Sequence, residues 1–289
     1  MKNRPKSIFV ALILTLLALV PNTIGADKIS INLMAGLNYS LFGDVNSGVK
    51  GSLDYWRDLV SLSGGTYVRG IKPLHASPTF SFDLIYKIDR YYSIGLGVGY
   101  LRANNTSTIT VRFPGELDES AVNTPDVRAV PVRFSVFKFI PISQRTRISF
   151  NAGIDTYFAQ FRSDYLPAGA GNRIQQKAHA IGLGFRYGVG LDVKIASHFA
   201  FVFEGQGRYA RVQGFRGILK AGGSSQPFEE RGDLYYWDQT ITFSPDIQST
   251  YPHMFIQEVK PSGGVYSNVR KARVDFSGFS VLAGIKVYL

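Results

Sequence analysis

The stretch His179-Ala-Ile-Gly-Leu-Gly-Phe-Arg-Tyr-Gly-Val-Gly-Leu-Asp-Val-Lys194 decides the fold. Every second residue from Ile181 to Val193 is bulky and apolar, and between them stand Gly182, Gly184, Arg186, Gly188, Gly190, Asp192 and Lys194. A period of two marks a β-strand whose faces meet different surroundings. Glycine weakens a water-facing strand position, but inside a narrow closed barrel it leaves room for larger neighbours. The bulky face is therefore expected to point outward, and the Gly, Arg and Asp face inward.

The same alternation recurs on both sides of this stretch, over residues 29–42, 79–88, 91–102, 128–139, 147–160, 199–212 and 272–289. That makes eight strands, an even number, as bacterial single-chain membrane barrels have. Their connections alternate in length. Asp89-Arg90, Pro141 to Arg145 and Ala196-Ser197-His198 are short, whereas 43–78, 103–127, 161–178 and 213–271 are long. Short turns on one side and long loops on the other are the outer-membrane pattern. The expected fold is all-β, a closed antiparallel eight-stranded transmembrane β-barrel with long extracellular loops. Strands longer than about ten residues exceed the apolar band and should continue beyond it on the loop side. Tyr39, Tyr92 and Tyr100 lie near strand ends and suit aromatic girdles at the band's edges.

The beginning of the chain reads as an export signal. Lys2, Arg4 and Lys6 precede an uncharged apolar run from Ile8 to Val20, then Pro21 and the small residues Gly25 and Ala26. That order is expected of a cleaved secretory signal peptide over 1–26, leaving one barrel domain over 27–289. The run is shorter than the roughly 20 residues of a spanning helix. The formal net charge is +11. These first residues hold three of those charges and no acid, so the remainder keeps 8 of the 11. The basic residues form no single stripe. Outer-membrane lipids and lipopolysaccharide are the expected partners rather than nucleic acid. There is no cysteine, so neither a disulfide framework nor a thiolate metal site is available.

The last strand, Phe279-Ser-Val-Leu-Ala-Gly-Ile-Lys-Val-Tyr-Leu289, carries the sharpest likeness to a known family. With the overall strand pattern, it resembles the small outer-membrane barrels of the OmpX, OmpA-transmembrane and OmpW kind. The resemblance implies recognition by the barrel-assembly machinery, with Phe279, Val281, Ile285, Val287 and Leu289 as the assembly signal. The family ends on an aromatic; here Leu289 takes that place and Tyr288 sits one position early. The family's roles run from adhesion and anchoring to narrow channels, and fold alone does not choose among them.

Candidate site residues fall into three groups. Asp83, Arg133, Asp155, Arg186, Asp192, Glu204 and Arg208 share the inward face and are expected to form a barrel-interior polar network, because an unpaired charge there is costly. A proton or ion path through them is the alternative. Leu234–Phe243 and His253–Val259 look strand-like, either as a hairpin standing above the membrane or as two more membrane strands, giving ten. In the hairpin, Tyr235, Tyr236 and Trp237 are the possible loop contact, unless they pack against their own loop. His75 and Ser77 share one face if the strand is regular, the bare minimum for a lipid A deacylase-like rim hydrolase, but no orienting acid is nearby. His179, His198 and His253 lack metal-ligand spacing, and Gly95-Leu-Gly-Val-Gly99 has the wrong spacing for a dinucleotide site. No catalytic, metal or cofactor residue is assigned. The expected function is a non-enzymatic surface, structural or loop-binding role for an unidentified extracellular ligand, with a narrow porin-like channel for ions or small apolar molecules as the alternative.

Overall fold

A computed structural model describes residues 28–169, 172–222 and 228–289. The signal-peptide expectation over 1–26 lies outside these residues. In chain order the elements are β1 (Ile29–Ser40), α1 (Gly43–Leu62), β2 (Thr66–Gly70), β3 (Ala76–Lys87), β4 (Tyr92–Asn104), β5 (Ser107–Arg112), β6 (Glu119–Pro141), β7 (Thr146–Leu166), β8 (Arg173–Lys194), β9 (Phe199–Gln213), β10 (Arg216–Gly222), β11 (Phe228–Ser244), β12 (Ile247–Gln257), β13 (Tyr266–Lys271), β14 (Arg273–Asp275) and β15 (Gly278–Tyr288).

Eight of these strands pair antiparallel in a closed ring, in the order β1, β3, β4, β6, β7, β8, β9, β15. The last strand closes it: Ala283 lies opposite Ala35 on one side and Phe203 on the other. Closure pairs every strand on both edges, so no edge is left open. The short turns are built by side chains that accept backbone N–H groups. Asp89 Oδ1 accepts those of Tyr91 and Tyr92 at 2.6 and 2.7 Å. Ser143 Oγ accepts those of Arg145 and Thr146 at 3.3 and 3.1 Å.

The strands run on past the sequence boundaries at the loop end. β6 has 23 residues, β7 21 and β8 22. Much of 103–127 and 161–178, read above as loop, is therefore strand. The reason is chemical. On β8, outward Ile181, Leu183, Phe185, Tyr187, Val189 and Leu191 give way above to outward Gln175, Lys177 and His179. On the inward face Arg186 and Asp192 give way to Ala180 and Ala178. β7 and β9 make the same exchange, from inward Asp155 to Tyr157, Ala159 and Phe161, and from inward Arg208 to Ala210 and Val212. The alternation keeps its phase while the chemistry of its two faces swaps, so an apolar-outward template loses the strand there.

One feature of the long connections departs from the sequence expectations, and another decides between the two readings they left open. Residues 43–62 form the helix α1, where a loop was expected. Its buried positions Val45, Val49, Leu53 and Val60 fall on one face, the i, i+4 spacing of an amphipathic helix. β11 and β12 form an antiparallel hairpin outside the ring, joined to β8 through β10. The ten-strand alternative is not what the structure adopts.

The main apolar core lies in the loop-side part of the ring. Leu101, Val127, Ala129, Tyr157, Phe161 and Val212 pack there with Phe42, Phe215 and Phe276 from the connections. A second cluster joins Val49, Leu53 and Val60 of α1 to Ile109, Val111, Ala121 and Tyr165. The helix lies tight on the hairpin: a Cβ at Gly51 would sit 1.9 Å from the Pro252 carbonyl oxygen.

Candidate functional site

The structure places all seven expected interior residues inside the ring, each at 5% exposure or less. Arg186 is the hub. Its Nη2 donates to Ser135 Oγ at 2.6 Å and its Nη1 to Asn151 Oδ1 at 3.3 Å. It also lies 3.6 Å from Asp155 and 3.7 Å from Glu204. Asn151 and Gln206 donate to Glu204 Oε1 at 2.8 and 2.7 Å. Arg133 stands 3.8 Å from Asp83. Towards the loops, Arg208 donates to Asn38 and to Ser280 Oγ. Towards the short turns, Asp192 accepts from Arg147 Nε at 2.9 Å and from Lys286.

Glycine makes this packing possible. A Cβ at Gly97 would fall 1.9 Å from Asp83 Oδ1, and one at Gly99 would fall 2.3 Å from Arg133 Nη2. The inward glycines hold the volume that the ionised side chains occupy. Sequence reasoning missed Lys286 and Asn38 as members of the network. Both sit on inward parity, next to the outward Ile285 and Leu37, so the alternation already contained that signal.

Above the polar layer the bore is sealed by the apolar core. Phe42 is the stopper. It adopts φ 46°, ψ 33° just before α1, and its buried ring meets Phe276 edge-on at 5.7 Å. Phe276 in turn stacks on Tyr157 at 5.7 Å. Along the height of the ring, each layer holds side chains at or near zero exposure: Lys286, Arg186, Asp155, Tyr157, Phe161 and Val212.

The possible loop contact is corrected. Tyr235, Tyr236 and Trp237 are 9%, 7% and 4% exposed and pack within the loop-side cap that α1 and β10 to β13 build beyond the ring. Trp237 lies among His253, Phe255 and Tyr266, with ring centroids at 5.9, 6.0 and 6.3 Å. Tyr236 lies beneath the Arg270 guanidinium at 4.4 Å, and Arg270 is held by Asp44 in the first turn of α1. Large aromatic rings gain more from burial than from solvent. Burial pushes the His253 imidazole down to about 4, slightly opposed by Asp238.

His75 and Ser77 also part company. β3 begins only at Ala76, so the regular-strand premise fails at His75. Its ring stacks on outward Tyr39 at 5.0 Å, while buried Ser77 Oγ accepts from Asn38 Nδ2 at 3.1 Å. The assembly-signal residues Phe279, Val281 and Ile285 point outward at 58%, 64% and 43% exposure, and Leu289 is 41% exposed, while Val287 is half-buried.

No family model and no curated protein matches the chain in sequence. Among solved structures it is similar to the crystal structure of the outer membrane protein OprG from Pseudomonas aeruginosa, at 10% identity and a TM-score of 0.35, over 90% of this chain and 95% of that one.

Proposed function

We propose that this chain is an outer-membrane barrel that anchors a folded cap at the cell surface, with a non-enzymatic binding or structural role and a closed bore. The exchange of face chemistry along β7, β8 and β9 carries this reading. Where the outside is apolar the inside holds the buried charges; where the outside is polar the inside is uncharged and mainly apolar. The first arrangement suits hydrocarbon around the ring and the second suits water. On β8 the apolar outer stretch from Ile181 to Leu191, at about 3.3 Å per residue and a tilt near 40°, spans about 25 Å, the height of a barrel's apolar band.

Leader cleavage, insertion by the barrel-assembly machinery and contact with lipopolysaccharide belong to the same proposal. The filled bore supports the anchoring role over the porin-like one. With the aromatic triplet buried, contact with a partner falls on the outer elements of the cap. β2 is exposed at every residue and pairs only with β5 among the described strands, so its free edge offers backbone groups and the Tyr67 and Val68 side chains.

The test is made on the full chain extracted from membranes. The expected results are heat-modifiable gel migration, protease cleavage of the cap on intact cells and silent planar-bilayer recordings. Free solubility without detergent would refute the membrane placement, and steady single-channel openings would refute the closed bore.

A further inference from the structure

The short-turn end of the barrel opens into a vestibule of about 500 Å³ lined by Lys87, Arg90, Arg145, Arg147 and Lys194. Asp192 is the single carboxylate among its lining residues, and it is already shared between Arg147 and buried Lys286. The nearby Asp89 carboxylate accepts two backbone N–H groups of its own turn at Oδ1 and stays an anion at the rim, so the mouth holds two carboxylates against five cations.

Many arginines at the loop end, though not Arg162 or Arg273, are neutralised within the chain. Arg102, Arg112, Arg128, Arg173, Arg216 and Arg270 each pair with a carboxylate. Among the described residues, no such ion pair holds Lys87, Arg90, Arg145 or Lys194. These four are exposed and come from three different turns, so the ring itself gathers them around one opening. Arg147 forms their floor. The Arg147 guanidinium lies over Phe139 at 4.1 Å and donates to Tyr288 Oη at 2.9 Å. Converging cations around a concave mouth, with too little carboxylate to neutralise them, form an anion site.

We propose that this mouth binds a phosphate-type anion, either free phosphate or the phosphate of a lipid headgroup, through Arg90, Arg145 and Lys194 above the Arg147 floor. Guanidinium groups match phosphate oxygens in geometry as well as charge. The site lies at the opposite end from the cap and is independent of the cap's role. Its lipid arm rests on the membrane placement proposed above; its free-phosphate arm does not.

The experiment compares the full chain in non-ionic detergent with the triple variant Arg90→Gln/Arg145→Gln/Lys194→Gln, in which no ion pair is removed. A charge-matched control, Lys72→Gln/Lys177→Gln/Lys260→Gln, removes exposed cations away from the mouth. Equilibrium dialysis reads inorganic phosphate, and native mass spectrometry reads retained phosphatidylglycerol. The expected result is binding by the parent and the control, weakened about tenfold or more in the triple variant, because each basic group near an anionic surface contributes to affinity. Phosphate binding lost in the triple variant assigns a free-phosphate site. Lipid retention alone, lost in the triple variant, assigns a headgroup site. If neither probe binds, or the triple variant binds as the parent does, or the control weakens equally, the proposal is overturned. Heat-modifiable migration of all three proteins confirms that each is folded.

Discussion

Tyr157 donates its hydroxyl to Asp155 Oδ2 at 3.3 Å, and this bond is the seam between the two halves of the bore. The two residues are two positions apart on one strand, point the same way and are fully buried. Below the seam the interior holds the ionised residues, with Met34, Val202, Leu282, Ile85, Phe137 and Phe139 packed beside them; above it the interior is uncharged and mainly aromatic and aliphatic, with Asn123, Ser163 and Gln176 among its buried polar members. The phenol suits that place, because its ring belongs to one layer and its hydroxyl to the other.

Position relative to the seam sets the cost of an outward charge. Phe185→Arg lies in the middle of the apolar belt and is expected to cost about 2–4 kcal/mol. Lys177→Leu, outward but above the belt, is expected to change stability by less than about 0.5 kcal/mol. Urea titration of the chain refolded in vesicles measures both. Equal costs at the two positions would argue against hydrocarbon around the lower ring.

Arg186→Met leaves Asp155 and Glu204 buried without their cation. The loss of one partner from a buried ionic cluster costs about 3–5 kcal/mol. A triple change that also replaces Asp155 by Asn and Glu204 by Gln should recover a large part of that loss, since no uncompensated charge remains. The same vesicle titration reads the recovery. A single variant as stable as the parent would show that the network contributes nothing.

Asp44 ties the start of α1 to Arg270 and to the Arg273 backbone N–H. Asp44→Ala is expected to loosen the cap by about 1–2 kcal/mol, a charge-assisted hydrogen bond reduced by partial solvent exposure. Limited proteolysis should then cut within 43–62 faster, while the ring keeps its heat-modifiable migration. Unchanged cleavage would mean that the helix is held by packing alone.

His253 makes the cap sensitive to acid. Burial lowers its folded-state value to about 4, against about 6.5 in an unfolded chain. A depressed value means that the folded form excludes the proton, so its contribution is full above pH 6.5 and is lost as pH falls towards 4. The loss at pH 4 is about 2–3 kcal/mol. Fluorescence of Trp237, read in a Trp56→Phe background, should change over that window and stay flat in His253→Phe. A change that survives the histidine replacement would assign the acid response elsewhere.

The sequence by itself determined the ring. The alternation from Ile181 to Val193, repeated through the chain, set the strands, their order and the outward bulky face. The same parity placed Asp83, Arg133, Asp155, Arg186, Asp192, Glu204 and Arg208 inside, because a period of two is a local property of the extended backbone. Only the tertiary structure decided the cap and the closure of the bore. Whether Trp237 meets a partner or its own hairpin depends on His253, Phe255 and Tyr266, which lie 16 to 29 positions away. Phe42 seals the bore because a left-handed backbone turns its ring towards Phe276, a contact across 234 residues. The loop-side strands kept their alternation but exchanged the chemistry of its two faces, and that exchange becomes legible once the surroundings of the ring change along its height.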